Sequence, residues 1–205
     1  MKRVGIFGGT FDPIHTGHIL IAEAARLQFG LDAVVFVPAR RAPHKRKAVI
    51  APAEHRVRMV RKAIRGHSSF TISDVEVRRE GLSYTIHTLE HIQQRYPGSR
   101  LYLLLGSDNI RSFDSWKDPK RIAGMASLVV YRRWGYDLTP SMLSRWKARQ
   151  LEGREIFISS TLIREKASSG LTIHYLVPPA VERYITNHNL YGSSRPRRTN
   201  AGLKK

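Results

Sequence analysis

Apolar positions along the chain fall into two alternating patterns: short unbroken runs, and longer stretches with helical spacing. The unbroken runs are Val4-Gly5-Ile6-Phe7, Ala33-Val34-Val35-Phe36-Val37 (closed by Pro38), Leu101 to Leu105, and Leu128-Val129-Val130-Tyr131. Short runs without polar alternation predict strands buried on both faces. Between them, Ile19 to Phe29 reads as a helix closed by Gly30. So does the stretch from about Ala53 to Ile64, where Val57, Val60 and Ile64 share one face. Ile86, Leu89, Ile92 and Tyr96 mark a third helix, stopped by Pro97-Gly98. Phe70 to Val77 reads as a β segment broken near Asp74, and Ile156 to Ile158 as a last strand. Further helices are expected to start near Ser160 and Pro179. Strand and helix in alternation imply a doubly wound, Rossmann-like α/β fold, a parallel sheet with helices on both faces. The organisation expected is one domain over residues 1–191. A small, polar, basic tail over 192–205 lacks an apolar face and is expected to be disordered.

Composition narrows the class. With 205 residues the chain can bury a sizeable core, and no apolar run reaches the roughly 18 residues that would span a membrane. The stretch from Met1 to Gly9 has basic residues but no apolar run long enough for a signal peptide. The absence of cysteine excludes disulfides and thiolate chemistry, and a cytoplasmic location is expected. The formal net charge is +19. Only five of the 35 basic residues lie beyond Tyr191, so the body still carries about +14. Such a charge suits a polyanionic partner, either nucleic acid or a phosphate-rich small molecule, but lineage-wide basicity would produce it equally.

The chemistry concentrates where the first strand ends. Gly8-Gly9-Thr10-Phe11-Asp12-Pro13-Ile14-His15-Thr16-Gly17-His18 runs straight into a helix. Glycines at a strand exit let a ligand approach the backbone, and a helix N-terminus offers free N–H groups to an anion. Neither a Walker A sequence nor G-x-G-x-x-G is present. His15 and His18, three residues apart, can point the same way from a helix start. Either could be a cap or a packed residue, and a metal pair is an alternative, although no third ligand stands at a suggestive spacing. Beside the glycines, imidazole N–H groups suit charge developing on a phosphoryl group.

GGTFDPIHTGH resembles the T/HxGH signature of the nucleotidyltransferase superfamily, and Ile158-Ser159-Ser160-Thr161-Leu162-Ile163-Arg164 resembles that superfamily's second motif. Both stand in the expected order, about 140 residues apart. From about Arg3 to Tyr191 the chain is similar to bacterial nicotinate mononucleotide adenylyltransferases. The resemblance implies condensation of nicotinate mononucleotide with ATP to nicotinate adenine dinucleotide and pyrophosphate, in NAD biosynthesis. It implies catalytic roles for His15, His18, Lys45 (in Pro43-His44-Lys45) and Arg164. For ATP it implies Gly8, Gly9, Thr10, Phe11, Gly106, Asp108, Arg133, Ser159, Ser160 and Thr161. For the mononucleotide it implies Ser83, Tyr84 and Thr85, from Glu80-Gly81-Leu82-Ser83-Tyr84-Thr85, and Trp116 as the ring's stacking partner. Arg132-Arg133-Trp134-Gly135 resembles the family's R-P-G turn with Trp134 in place of proline. Mg²⁺ is expected with ATP, coordinated mainly by phosphate and water, with no dedicated protein ligands.

Rival readings are an amide-selective relative, a pantetheine-phosphate or glycerol-phosphate nucleotidyltransferase, a class I tRNA synthetase fragment and a basic nucleic-acid-binding module. The synthetase fragment would need a KMSKS-like loop. The nucleic-acid module would need a recognisable RNA- or DNA-binding signature, and neither feature is visible. ATP and the mononucleotide are therefore the expected partners, nucleic acid and membrane are not, and a homo-oligomer is left open.

Overall fold

The computed structural model describes residues 1–40, 50–153 and 155–192. Pro43, His44 and Lys45 lie outside the described residues, as does the basic tail beyond Gly192. The strands are β1 (Arg3–Gly9), β2 (Ala33–Pro38), β3 (Phe70–Ile72), β4 (Arg100–Gly106), β5 (Ala126–Tyr131) and β6 (Arg149–Gln150). The helices are α1 (Thr16–Phe29), α2 (Ala53–Ala63), α3 (Val75–Arg78), α4 (Thr85–Arg95), α5 (Ser107–Arg111), α6 (Pro119–Met125), α7 (Pro140–Arg145), α8 (Ser160–Ser168) and α9 (Pro179–Asn187). Among the described residues the strands form one parallel sheet in the order β3-β2-β1-β4-β5-β6. The order reverses between β1 and β4, and in such sheets the crevice beyond the strand ends at that point receives ligands.

The unbroken apolar runs are explained by burial on both sides. Phe7, Val34, Phe36, Leu104 and Val129 pack with α1, α2, α8 and α9 in one core. Val4, Ile6, Val35, Val37, Leu103 and Val130 face the opposite way, against Ile86, Leu89 and Ile92 of α4 and Ile122 of α6. Each strand thus feeds two cores through its two-residue alternation. Gly30, at φ 58, closes α1 in the left-handed conformation that glycine adopts without a Cβ clash.

Three local expectations are corrected. Helix α1 begins at Thr16, one turn ahead of the apolar pattern, because the polar first turn faces the crevice instead of a core. The segment from Phe70 to Val77 is a strand only to Ile72, and Val75 to Val77 lie in the short helix α3. Ile156 to Ile158 form no strand: the alternation there puts Ile156 and Ile158 toward the crevice while Phe157 is 68% exposed. The sixth strand is the two-residue β6, too short to leave a periodic signal.

Candidate active site

One cavity of about 660 Å³ opens at the carboxyl ends of β1, β4 and β5. It is lined by every residue assigned above to catalysis, ATP or the mononucleotide, apart from Gly106 and the undescribed Lys45.

At its centre, His15 caps α1 and His18 stands in the first helical turn. Their rings stack at 3.6 Å between centroids. The His15 amide donates to His18 Nδ1 at 3.2 Å. With Nδ1 accepting, a neutral His18 carries its ring proton on Nε2. Phe11 and Phe7 pack edge-on to that ring at 5.0 and 5.8 Å, which limits its rotation. Burial, aided by the charge of Arg133, lowers the His15 pKa to about 3, so this imidazole is neutral throughout the physiological range. Glycine at position 17 relieves a tight approach, since a Cβ there would stand 3.0 Å from both the His15 ring and Ile156. A Cβ on Gly8 would meet no atom of the described residues within 4 Å and would project into open space beside the cavity.

A second helix N-terminus converges on the same loop. Ser159 caps α8, its hydroxyl accepting from the Leu162 amide at 3.1 Å. Ser160 Oγ donates to the Pro13 carbonyl at 2.9 Å, and Arg164 donates to the Asp12 carbonyl at 2.8 Å and to Thr161 Oγ1 at 3.2 Å. The HxGH loop and the second motif are therefore physically joined, with two helix dipoles aimed at one space.

On the β4–β5 side, Asp108 Oδ2 accepts from Arg133 at 2.6 Å. Gly106 lies behind this pair: a Cβ there would collide with the Asp108 carboxylate. Ser107, fully buried, accepts from the Arg133 amide and donates to the Tyr136 carbonyl, fixing the 133–136 turn. Tyr136 N donates to Arg133 O, and Gly135 has φ 80, the third-position geometry of a type II turn. Proline favours the preceding position but is not needed there, so Trp134 is accommodated.

Ser83, Tyr84 and Thr85 form the opposite wall at the start of α4. That helix has no acidic residue in its first turn and no side-chain cap, so its leading N–H groups can receive an anion. Trp116 packs on Phe113 at 5.2 Å, and Lys117 lies 4.9 Å over the Tyr84 ring.

Several lining or supporting residues had no sequence signal. Glu76 is a buried carboxyl in the wall behind Ser83 and Thr88, whose hydroxyls donate to it, and burial raises its pKa. Arg56, 1% exposed, donates to the carbonyls of Thr10, Ala39, Arg40 and Ala51. A lone arginine on the face that also carries Met59 and Val60 was its only hint. Among the solvent-shielded side-chain atoms without a hydrogen-bond partner in the described residues, Thr10 Oγ1, His15 Nδ1 and Asp108 Oδ1 line this cavity, whereas His67 Nδ1 and Trp146 Nε1 lie away from it. The three in the cavity are placed to bond a polar ligand.

Comparison with known proteins agrees with this geometry. The cytidylyltransferase-like family model matches residues 6–166. A probable nicotinate-nucleotide adenylyltransferase of Clostridium novyi is 37% identical over 199 residues, covering 93% of this chain and all of the relative. One from Thermomicrobium roseum is 40% identical over 200 residues, covering 93% and 92%. Among solved structures, Plasmodium falciparum nicotinic acid mononucleotide adenylyltransferase complexed with NaAD superposes with a TM-score of 0.78 at 22% identity, covering 95% of this chain and 99% of that one. At that identity the likeness speaks for the fold, while the closer relatives speak for the family. The chain belongs to the cytidylyltransferase-like family and, with these relatives, to the nicotinate-nucleotide adenylyltransferases.

Proposed function

We propose that this protein transfers the adenylyl group of ATP to nicotinate mononucleotide, yielding nicotinate adenine dinucleotide and pyrophosphate. The observation that carries this reading is the single cavity in which the joined phosphate motifs of α1 and α8 face the uncapped start of α4. A phosphate oxygen of the mononucleotide attacks the α-phosphorus of ATP, and the bond from that phosphorus to the α,β-bridging oxygen breaks. The substrate supplies its own nucleophile, so the protein's task is positioning and charge neutralisation. His18 Nε2–H donates to an α-phosphate oxygen as charge builds there, and neutral His15 serves the neighbouring phosphates. Arg164 and Lys45 steady the departing pyrophosphate. Asp108 Oδ1 receives a ribose hydroxyl, and Arg133 and the Gly8–Phe11 segment border the nucleotide. The nicotinate carboxylate sits at the α4 N-terminus with Thr85, and the ring stacks on Trp116. A divalent cation accompanies ATP, and we take it to be magnesium, entering as part of the substrate complex. Residues 1–191 are the catalytic domain in this reading, and the basic stretch beyond it is dispensable for turnover.

The test is direct. Purified protein, ATP and Mg²⁺ are incubated with nicotinate mononucleotide, and separately with phosphopantetheine or glycerol phosphate, and products are separated by chromatography. Nicotinate adenine dinucleotide and pyrophosphate in equal amounts are expected. Product from another acceptor, with none from the pyridine mononucleotide, would overturn the reading.

A further inference from the structure

Asp12 sits inside the HxGH loop and lines the cavity, yet its carboxylate is engaged by donors of the protein itself. It is 3% exposed and forms no ion pair among the described residues. Its carboxylate accepts from three neutral donors, the Ile50 amide at 2.9 Å, the Ala51 amide at 3.1 Å and the Tyr191 hydroxyl at 2.7 Å, and the charge of the buried Arg56 acts on it at longer range. The tyrosine lies 179 residues away, in the 3₁₀ turn Leu190–Gly192 that follows α9. Tyr191 has φ 63, a left-handed conformation that a bulky residue holds only when its surroundings fix it. Its ring is buried, and burial with the Asp12 carboxylate pushes the phenol far above its ordinary pKa, so the hydroxyl remains a donor at any working pH.

Arg56 completes the arrangement from the other side. Its carbonyl contacts tie Thr10, on the β1 loop, to Ala39, Arg40 and Ala51 after β2. The Asp12 side chain holds the same second segment, and the Asp12 carbonyl holds Arg164. Thr10 and Asp12 thus stand on a frame whose far end is the chain's last described turn. His15 follows three residues after Asp12, and between them the Pro13 carbonyl accepts from Ser160 of α8.

We propose that Tyr191 is a positioning residue for the transfer step, acting through Asp12 on Arg164 and the loop that presents His15. The proposal rests on the adenylyl-transfer reading above. A carboxylate can accept about four hydrogen bonds, and a buried one that loses a donor shifts toward whatever donors remain. Transfer that depends on positioning responds steeply to such shifts, because misplacement by about 1 Å can cost on the order of a hundredfold. The pyridine subsite meets the Arg56 side of this frame, where the Arg40 amide donates to Ser83 Oγ at 3.1 Å, while the Tyr191 hydroxyl bonds to Asp12, so mononucleotide binding is expected to change less than the transfer step.

The experiment uses the full chain and Tyr191→Phe, which removes one oxygen and keeps the buried ring. Wild-type activity with ATP and nicotinate mononucleotide is measured first. If that is absent, the functional reading fails, whatever Tyr191 does. With activity present, Tyr191→Phe is expected to lower kcat about tenfold, with KM for the mononucleotide within twofold and a melting temperature well above that of the assay. A purely structural tyrosine would lower the melting temperature and leave kcat intact, overturning the proposal. Asp12→Asn, which keeps the side chain's size but loses an acceptor, is expected to give the same kcat-selective loss and serves as the probe should Tyr191→Phe fail to fold. In a double-substitution cycle on kcat/KM for ATP, Tyr191→Phe and Arg164→Lys are expected to combine less than multiplicatively, since both act through Asp12. Independent effects would overturn the route through Arg164. Truncation after Gly192 is expected to keep activity within a few-fold, and truncation after Leu190 to lose it. Equal activity of the two would also sink the proposal.

Discussion

The two ends of the cavity are built in opposite ways. At the phosphate end the β1 loop, α1 and α8 are locked together, with Pro13 O on Ser160, Asp12 O on Arg164 and His15 N on His18. At the pyridine end Ser83, Tyr84, Thr85 and Trp116 are only half-buried, Lys117 is exposed, and α4 starts without a side-chain cap. The difference matches the tasks proposed for each. Chemistry at phosphorus needs donors held in place before the substrate arrives, because reorganising them during the reaction would raise the barrier. Recognition of a flat ring bearing one charge needs an open wall and a set of free N–H groups. A defect at the first end should therefore appear in kcat, and a defect at the second in the ratio between competing substrates.

The largest expected effect belongs to the phosphate end. His18→Ala should lower kcat by about 10²–10³, the loss typical of removing one preorganised donor to a developing oxyanion. Circular dichroism should show it folded. Near-normal turnover in a folded variant would dissolve the contrast between the two ends.

At the pyridine end the expected changes are smaller and of another kind. Thr85→Ala should shrink the acid-over-amide ratio in kcat/KM about tenfold, by removing one group that favours the carboxylate. Trp116→Ala should weaken both mononucleotides alike, since stacking reads the ring face and not its substituent. Steady-state kinetics with both substrates checks the pair. A ratio that moves with Trp116 and not with Thr85 would mean that the ring and carboxylate subsites are exchanged.

The buried His15 offers a thermodynamic handle. Its native pKa of about 3 lies below the ordinary value of 6.5, so between those pH values the unfolded chain binds a proton there that the folded chain does not. Stability from this group is complete above pH 6.5 and declines as the medium is acidified toward 3, by at most about 1.4 kcal/mol per pH unit. Urea unfolding at pH 7 and pH 5 should show that increment in the wild type, and its loss in His15→Asn. Parallel declines in the two proteins would place His15 in contact with water.

Much of the site was legible because its parts are contiguous. GGTFDPIHTGH and Ser159 to Arg164 each occupy one strand-to-helix passage, and the two-sided apolar runs declared the sheet that sets those passages side by side. What escaped was either short or remote. Two paired residues suffice for β6, while Ile156 to Ile158 imitate a strand because alternate residues face a cavity. Arg56 binds only backbone carbonyls, which every sequence supplies, so its partners leave no trace in residue type. Asp12 was visible within its motif, but the Tyr191 hydroxyl reaches it from the other end of the chain. Glu76 lay in a segment read as strand, where a buried carboxyl would not be sought.

Selection of an acid at the free N-terminus of α4 is tested most directly by kcat/KM of the unmodified protein for nicotinate mononucleotide and for its nicotinamide counterpart. The two differ only in carboxylate against carboxamide. The amide turns N–H donors toward N–H donors, at about 1–3 kcal/mol for each group left unsatisfied. Two such mismatches, about 2–6 kcal/mol together, predict a preference for the acid of about 10–10⁴, centred near 10²–10³, at tenfold per 1.4 kcal/mol. Equal values for the two mononucleotides would contradict the carboxylate assignment and make the protein a dual-specificity relative.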